Sequence, residues 1–137
     1  MKNILLLCVL LVAASALEQN GMTFTNDKYC PNITYGSEGA RESLRHLRTI
    51  GANWVAIVTT WYQDTEDGLK IFPLNEPVYS KDGYFEYISP TDEDLASIVT
   101  YARSIGFKVM LKPHIDPINV GRDVWRGWIG GNFDSED

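Results

Sequence analysis

The sequence predicts an α/β fold built from consecutive strand and helix units, and three observations carry that prediction. Two amphipathic stripes at helical spacing alternate with short, nearly continuous apolar runs. Each stripe stops at a glycine that leads directly into such a run, in Ile50-Gly51-Ala52-Asn53-Trp54-Val55 and again in Ile105-Gly106-Phe107-Lys108-Val109-Met110. Polar and rigid residues then gather at the far end of the last run, in Leu111-Lys112-Pro113-His114-Ile115-Asp116. In alternating strand and helix folds that end of a strand is where ligands bind.

Met22 to Phe24 is a short apolar strand. The first helix spans Ser37 to Ile50, with Ala40, Leu44, Leu47 and Ile50 along one stripe and Gly51 as its stop. Asn53 to Thr60 follows as a strand, and its run Trp54 to Val58 suits a parallel strand covered on both faces. Trp61 to Pro90 reads as a polar connection. The second helix opens at Thr91, whose hydroxyl caps it, while Asp92, Glu93 and Asp94 favour the positive end of its dipole. It carries Leu95, Ile98, Val99, Tyr101, Ala102 and Ile105 toward the core, and Phe107 to Leu111 is the next strand.

Strand, helix, strand, helix, strand fits either a barrel or an open doubly wound sheet. No glycine-rich phosphate loop follows Met22 to Phe24, which weighs against a dinucleotide fold. A complete (β/α)₈ barrel needs about 250 residues, so the three strands and two helices of this pattern make an N-terminal part of a longer design. Gly127 to Asp137 holds no strand pattern and reads as a loop cut at its middle.

Residues 1–16 have the form of a secretory signal: Lys2 precedes the apolar run Ile4 to Ala14, and Ala14-Ser15-Ala16 has small residues at a cleavage-site spacing. Glu18, Gln19 and Asn20 arrive too early for a spanning helix, which needs roughly 20 apolar residues. The domain proper is therefore residues 17–137, secreted or in an endomembrane lumen, with nothing left to span a bilayer. Asn32-Ile33-Thr34 is then an N-glycosylation acceptor. Cys8 leaves with the signal, and Cys30 stays without a partner in the chain. The net charge of −6, with no basic patch, argues against nucleic acid and anionic membranes and favours neutral partners.

Lys112, His114 and Asp116 are costly to bury and serve better at a mouth where substrate pairs with them. Lys112 with Asp116 also reads as a structural ion pair, and Arg126 as a loop residue stacked on Trp125. His114-x-Asp116 offers two ligands to a metal, but a catalytic site needs a third, and His46, the other histidine, lies inside the first helix pattern. No cofactor is expected.

Several segments in order, Gly51 to Ile57, Thr60 to Asp64, Pro90 to Leu95, Lys108 to Asp116 and Trp125-Arg126-Gly127, resemble glycoside hydrolase family 113 across about Gly21 to Gly127. The resemblance implies the N-terminal part of a TIM-barrel endo-β-mannanase from a clan of retaining glycosidases, with β-1,4-mannan or a related β-glycan as the polysaccharide partner. It implies that Trp61, Lys112, His114, Asp116, Trp125 and Arg126 line the sugar cleft, where an indole stacks on a pyranose and polar groups bind its hydroxyls. It places the two catalytic glutamates on the fourth and seventh strands, beyond residue 137. Asn75-Glu76-Pro77 copies a triplet that carries the acid/base glutamate in this clan, yet it follows Pro73 between the second strand and its helix, and is expected to be an exposed turn. The expectation is a glycosidase family member inactive as this chain alone. A metal-dependent hydrolase and a non-catalytic carbohydrate-binding remnant are the alternatives.

Overall fold

A computed structural model describes residues 18–26, 34–79, 86–118 and 126–130. The predicted signal, Cys30, Asn32 and Trp125 lie outside the described residues. The elements in chain order are β1 (Gly21–Phe24), α1 (Glu38–Thr49), β2 (Trp54–Gln63), β3 (Val78–Tyr79), β4 (Glu86–Tyr87), α2 (Asp92–Ser104), β5 (Lys108–Pro117) and a 3₁₀ turn at Arg126–Trp128. β1, β2 and β5 form a three-stranded sheet in that order, parallel throughout, and β3 pairs with β4 as an antiparallel hairpin.

Both helices begin as their sequences dictate. The Ser37 hydroxyl accepts from the Ala40 N–H at 3.2 Å and the Thr91 hydroxyl from the Asp94 N–H at 3.1 Å, each satisfying a donor that the first turn leaves unpaired. They also end alike. Gly51 (φ +92°) and Gly106 (φ +91°) adopt the left-handed conformation that side chains resist. Each glycine donates its N–H to the carbonyl three residues back, Arg48 and Arg103, at 3.1 Å in both cases. The next residue donates five back, Ala52 to Leu47 and Phe107 to Ala102, at 3.1 and 3.0 Å. The repeated glycine junction of the sequence is one Schellman motif used twice.

One face of the sheet lies under the helices. Val55 and Ile57 of β2 pack with Leu44 and Ala40 of α1, Ile98 and Ala102 of α2, and Phe107, in a core that also takes Tyr35. Between the helices, the Arg45 guanidinium binds Glu38 at 2.7 Å and the Tyr101 hydroxyl at 2.7 Å, and also binds Glu42. Hydrogen bonding to Arg45 holds the Glu38 carboxyl below the usual carboxylate range. Leu111 of β5 shares a face with its register partner Ile57 yet is 55% exposed, on the outer strand of the described sheet.

Two strands outrun their predicted ends. β2 continues through Trp61, Tyr62 and Gln63, and β5 continues through Lys112 to Pro117, so the polar cluster lies within a strand and not after it. The reason is backbone pairing: the β2–β5 register runs unbroken from Trp54↔Lys108 to Gln63↔Pro117, which side-chain hydropathy does not report. Pro113 sits mid-strand with no N–H to give, and β5 is paired on one side among the described strands. The predicted polar connection 61–90 likewise holds structure. Phe72 exchanges both backbone hydrogen bonds with Tyr62 at 2.9 Å, and the β3–β4 hairpin follows.

Candidate functional site

Alternation along the strands decides which side chains meet. Val58↔Lys112, Thr60↔His114 and Tyr62↔Asp116 are register pairs, so these six residues share the sheet face opposite the helices. At the carboxyl end of that face lies a pocket of about 360 Å³. Thr23 of β1 and Thr25–Asn26 just after it line the pocket, with Val58, Thr60 and Tyr62 from β2 and His114 and Asp116 from β5. Tyr87, Ile88, Pro90 and Arg126 complete the wall.

Arg126 organises the β5 side. Its Nε binds Asp116 Oδ1 at 2.7 Å and its Nη2 binds Asp116 Oδ2 at 2.9 Å, a side-on bidentate pair. Its Nη1 lies 2.6 Å from His114 Nδ1. Burial, reinforced by the positive charges of Arg126 and Lys112, lowers the His114 pKa from its ordinary value, while Asp116 opposes the shift. Opposite, Tyr62 donates its hydroxyl to the Ile88 carbonyl at 3.2 Å and meets the Tyr87 ring edge-on at 5.9 Å. Burial, helped by the Asp116 carboxylate, pushes the Tyr62 hydroxyl up to about 12, so it stays protonated at neutral pH.

Below the pocket, buried polar groups tie the strand ends together. The Tyr35 hydroxyl donates to the Val58 carbonyl at 2.6 Å, accepts from the Asn26 N–H at 3.1 Å and lies 3.1 Å from the Phe24 carbonyl. One phenol therefore joins β1, β2 and the pocket wall. Burial pushes it up to about 12. The Ser89 hydroxyl donates to the Thr60 carbonyl at 2.7 Å and accepts from the Leu74 N–H at 3.0 Å, lashing the long connection to the end of β2.

His114, Asp116 and Arg126 are brought together in the pocket lining. Lys112 shares their face but is exposed, and it does not line the pocket. The alternative Lys112–Asp116 ion pair is replaced by Asp116–Arg126, whose planar guanidinium matches both carboxylate oxygens where an ammonium matches one. Trp61 has the opposite parity: it pairs with Ile115, is 43% exposed and lies on the helix side of the sheet. Glu76 sits in an exposed bend outside the pocket lining.

Among the described residues no group of three or more His, Cys, Asp or Glu is placed to hold a metal. Where the metal alternative needs an ion between His114 and Asp116, a guanidinium already binds both. Sequence reasoning missed Thr60, Tyr62, Asn26 and Tyr87. Counting period two from Val58 through Thr60 to Tyr62 was the available signal for the first two. Asn26 and Tyr87 arrive from chain segments that no local pattern connects to the pocket.

A family model described as Glycoside Hydrolase Family 113 matches residues 22–137. The chain is similar to a solved structure titled as the complex structure of a GH113 beta-1,4-mannanase, at 25% identity and a TM-score of 0.59, over 87% of this chain and 33% of that one. A second, titled as the structure of a GH113 beta-1,4-mannanase, gives 24% identity and a TM-score of 0.57 over 88% of this chain and 34% of that one; it bears on the fold alone. The chain spans about a third of the length of these two structures. No curated protein matches it.

Proposed function

Because the chain belongs to glycoside hydrolase family 113, we propose that its pocket binds the sugar units of a β-1,4-mannan-type polysaccharide during retaining hydrolysis. Its parallel strands and two helices are part of a TIM barrel, and the pocket sits at the carboxyl ends of the strands, where such barrels place their sites. The observation that carries the proposal is the lining itself. Thr60, Tyr62 and His114 offer neutral hydrogen-bonding groups beside the edge-on pair Tyr62 and Tyr87. That mixture suits a pyranose, which has polar hydroxyls around its rim and apolar C–H faces.

The chemistry of the lining also limits its role. Retention requires a protonated carboxyl and a nucleophilic carboxylate ~5–5.5 Å apart across the sugar. Among the described lining residues Asp116 is the one carboxylate, and both its oxygens are committed to Arg126. This part of the barrel therefore holds and orients the sugar, and the reacting carboxylates stand elsewhere. Secretion, as the leader suggests, would put the site in contact with extracellular polysaccharide.

Titration of the chain with mannotriose, followed by backbone NMR shifts, tests the reading. Perturbation of Thr60, Tyr62 and His114 is expected, with no release of reducing ends from mannan. Silence at these residues up to millimolar mannotriose, where binding is worth about −4 kcal/mol, overturns the sugar assignment. Turnover by this chain overturns the placing of the chemistry elsewhere.

A further inference from the structure

Arg126 makes three directed contacts, and the third has a consequence for the protons of the pocket. Two N–H groups on one edge of the guanidinium are spent on the Asp116 carboxylate, which fixes the plane of the group. Nη1, on its other side, is thereby aimed at His114 Nδ1, 2.6 Å away. A guanidinium carries donors and no acceptor, so this short contact requires a lone pair on Nδ1. The neutral ring then carries its proton on Nε2, which has no partner among the described residues although His114 lines the pocket.

We infer that Arg126 is a positioning residue that fixes His114 in its Nε2–H tautomer, so that the pocket presents a hydrogen-bond donor to a bound sugar at this position. The inference rests on the reading of the pocket as a sugar site and deepens it. The other tautomer would point an Nδ1–H at an N–H of Arg126, leaving two donors face to face. A doubly protonated ring would add a second cation beside the guanidinium, on the face that also carries Lys112. The lowered pKa of His114 agrees with this geometry. Asp116 acts one step further away, by orienting the guanidinium that orients the ring. The recognised oxygen is one that accepts, such as a hydroxyl or ring oxygen of the sugar.

Long-range proton–nitrogen NMR of the labelled chain tests this directly, because the two ring nitrogens of a neutral histidine differ strongly in shift. The sequence holds only two histidines, and the exposed helix residue His46 is removed from the spectrum by His46→Gln. The expected result for His114 is a single Nε2–H tautomer. Arg126→Ala should give a mixture of tautomers and a threefold to tenfold weaker response to mannotriose, roughly one hydrogen bond. Arg126→Lys keeps the charge but loses the planar fork that spans Asp116 and His114, so it should leave the mixture largely unrestored. An Nδ1–H or mixed His114 in the unaltered chain overturns the inference, whether or not the variants fold, and so does an unchanged tautomer in Arg126→Ala. If the tautomer is wrong while mannotriose still perturbs Thr60, the positioning role fails alone. If mannotriose moves neither Thr60 nor the His114 Nε2–H, the sugar reading fails and this role with it.

Discussion

The two ends of the parallel sheet are built on opposite principles. At the end where strands begin, the same junction occurs twice, with matching hydrogen bonds and φ angles of +92° and +91°. Asn53 adds a local clamp there, accepting from the Asn20 N–H and donating to the Glu18 carbonyl, both at 2.9 Å. At the end where strands finish, nothing repeats. β1 stops on a tyrosine hydroxyl, β2 continues into a bridge with Phe72, and β5 carries an Arg–His–Asp cluster. The starting end can be uniform because its task is to hold helices on strands. The finishing end differs at each strand, which suits the proposed role of bringing different side chains to one ligand.

If that division is correct, the largest losses of stability come from the helix side of the sheet. Leu44→Ala, at a fully buried position of α1, should cost about 2–5 kcal/mol in urea denaturation. A loss below 1 kcal/mol would mean that α1 is not anchored on the sheet as described.

Tyr35→Phe comes next, and it probes where the two ends meet. The ring keeps its place in the core, but the Val58 carbonyl and the Asn26 N–H both lose their partner. The expected cost is ~1–3 kcal/mol, together with weaker mannotriose binding, since Asn26 lines the pocket. A stability loss with unaltered binding would show that the phenol holds the fold without shaping the pocket.

Gly51→Ala and Gly106→Ala should each cost about 1 kcal/mol, because alanine resists a positive φ at both sites. The comparison is sharpest here. A Cβ at Gly51 meets nothing within 4 Å, and one at Gly106 meets only the Arg48 guanidinium at 3.6 Å, so neither has a steric reason to differ. Unequal losses in parallel melts would break the claim that the junctions are equivalent.

The same contrast explains what was legible in the sequence. Helix starts at Ser37 and Thr91, stops at Gly51 and Gly106, and the apolar stripes are governed by residues within about four positions of one another, and all of them could be read. The strand ends could not be located, because β2 and β5 are held past Thr60 and Leu111 by pairing across more than fifty positions. The site was half legible. His114 and Asp116 announce themselves as polar residues on an apolar run, whereas Arg126, 12 and 10 residues further on, was reached only through the family resemblance. Tyr35 gave no signal, since its partners Asn26 and Val58 stand 9 and 23 residues away. Trp61 was assigned to the cleft by the family resemblance without regard to strand parity, and parity puts it on the other face.

The smallest expected effect belongs to the finishing end and appears only with pH. The folded state lowers the pKa of His114, so below the ordinary value of about 6.5 an unfolded chain takes up a proton there more readily than the folded one. Stability should therefore be flat with respect to this group above that pH and fall as pH drops from about 6.5 through the lowered folded value. Protonating Nδ1 also removes the lone pair that Arg126 uses, so mannotriose binding should weaken over the same window. His114→Gln supplies the control, because it deletes the titrating ring while leaving Asp116 and Arg126 paired. Denaturation midpoints measured for both proteins between pH 5 and 8 should converge toward the acid side. Parallel curves would show that His114 does not bind its proton differently in the fold, and the distinction between a uniform starting end and a tuned finishing end would then rest on geometry alone.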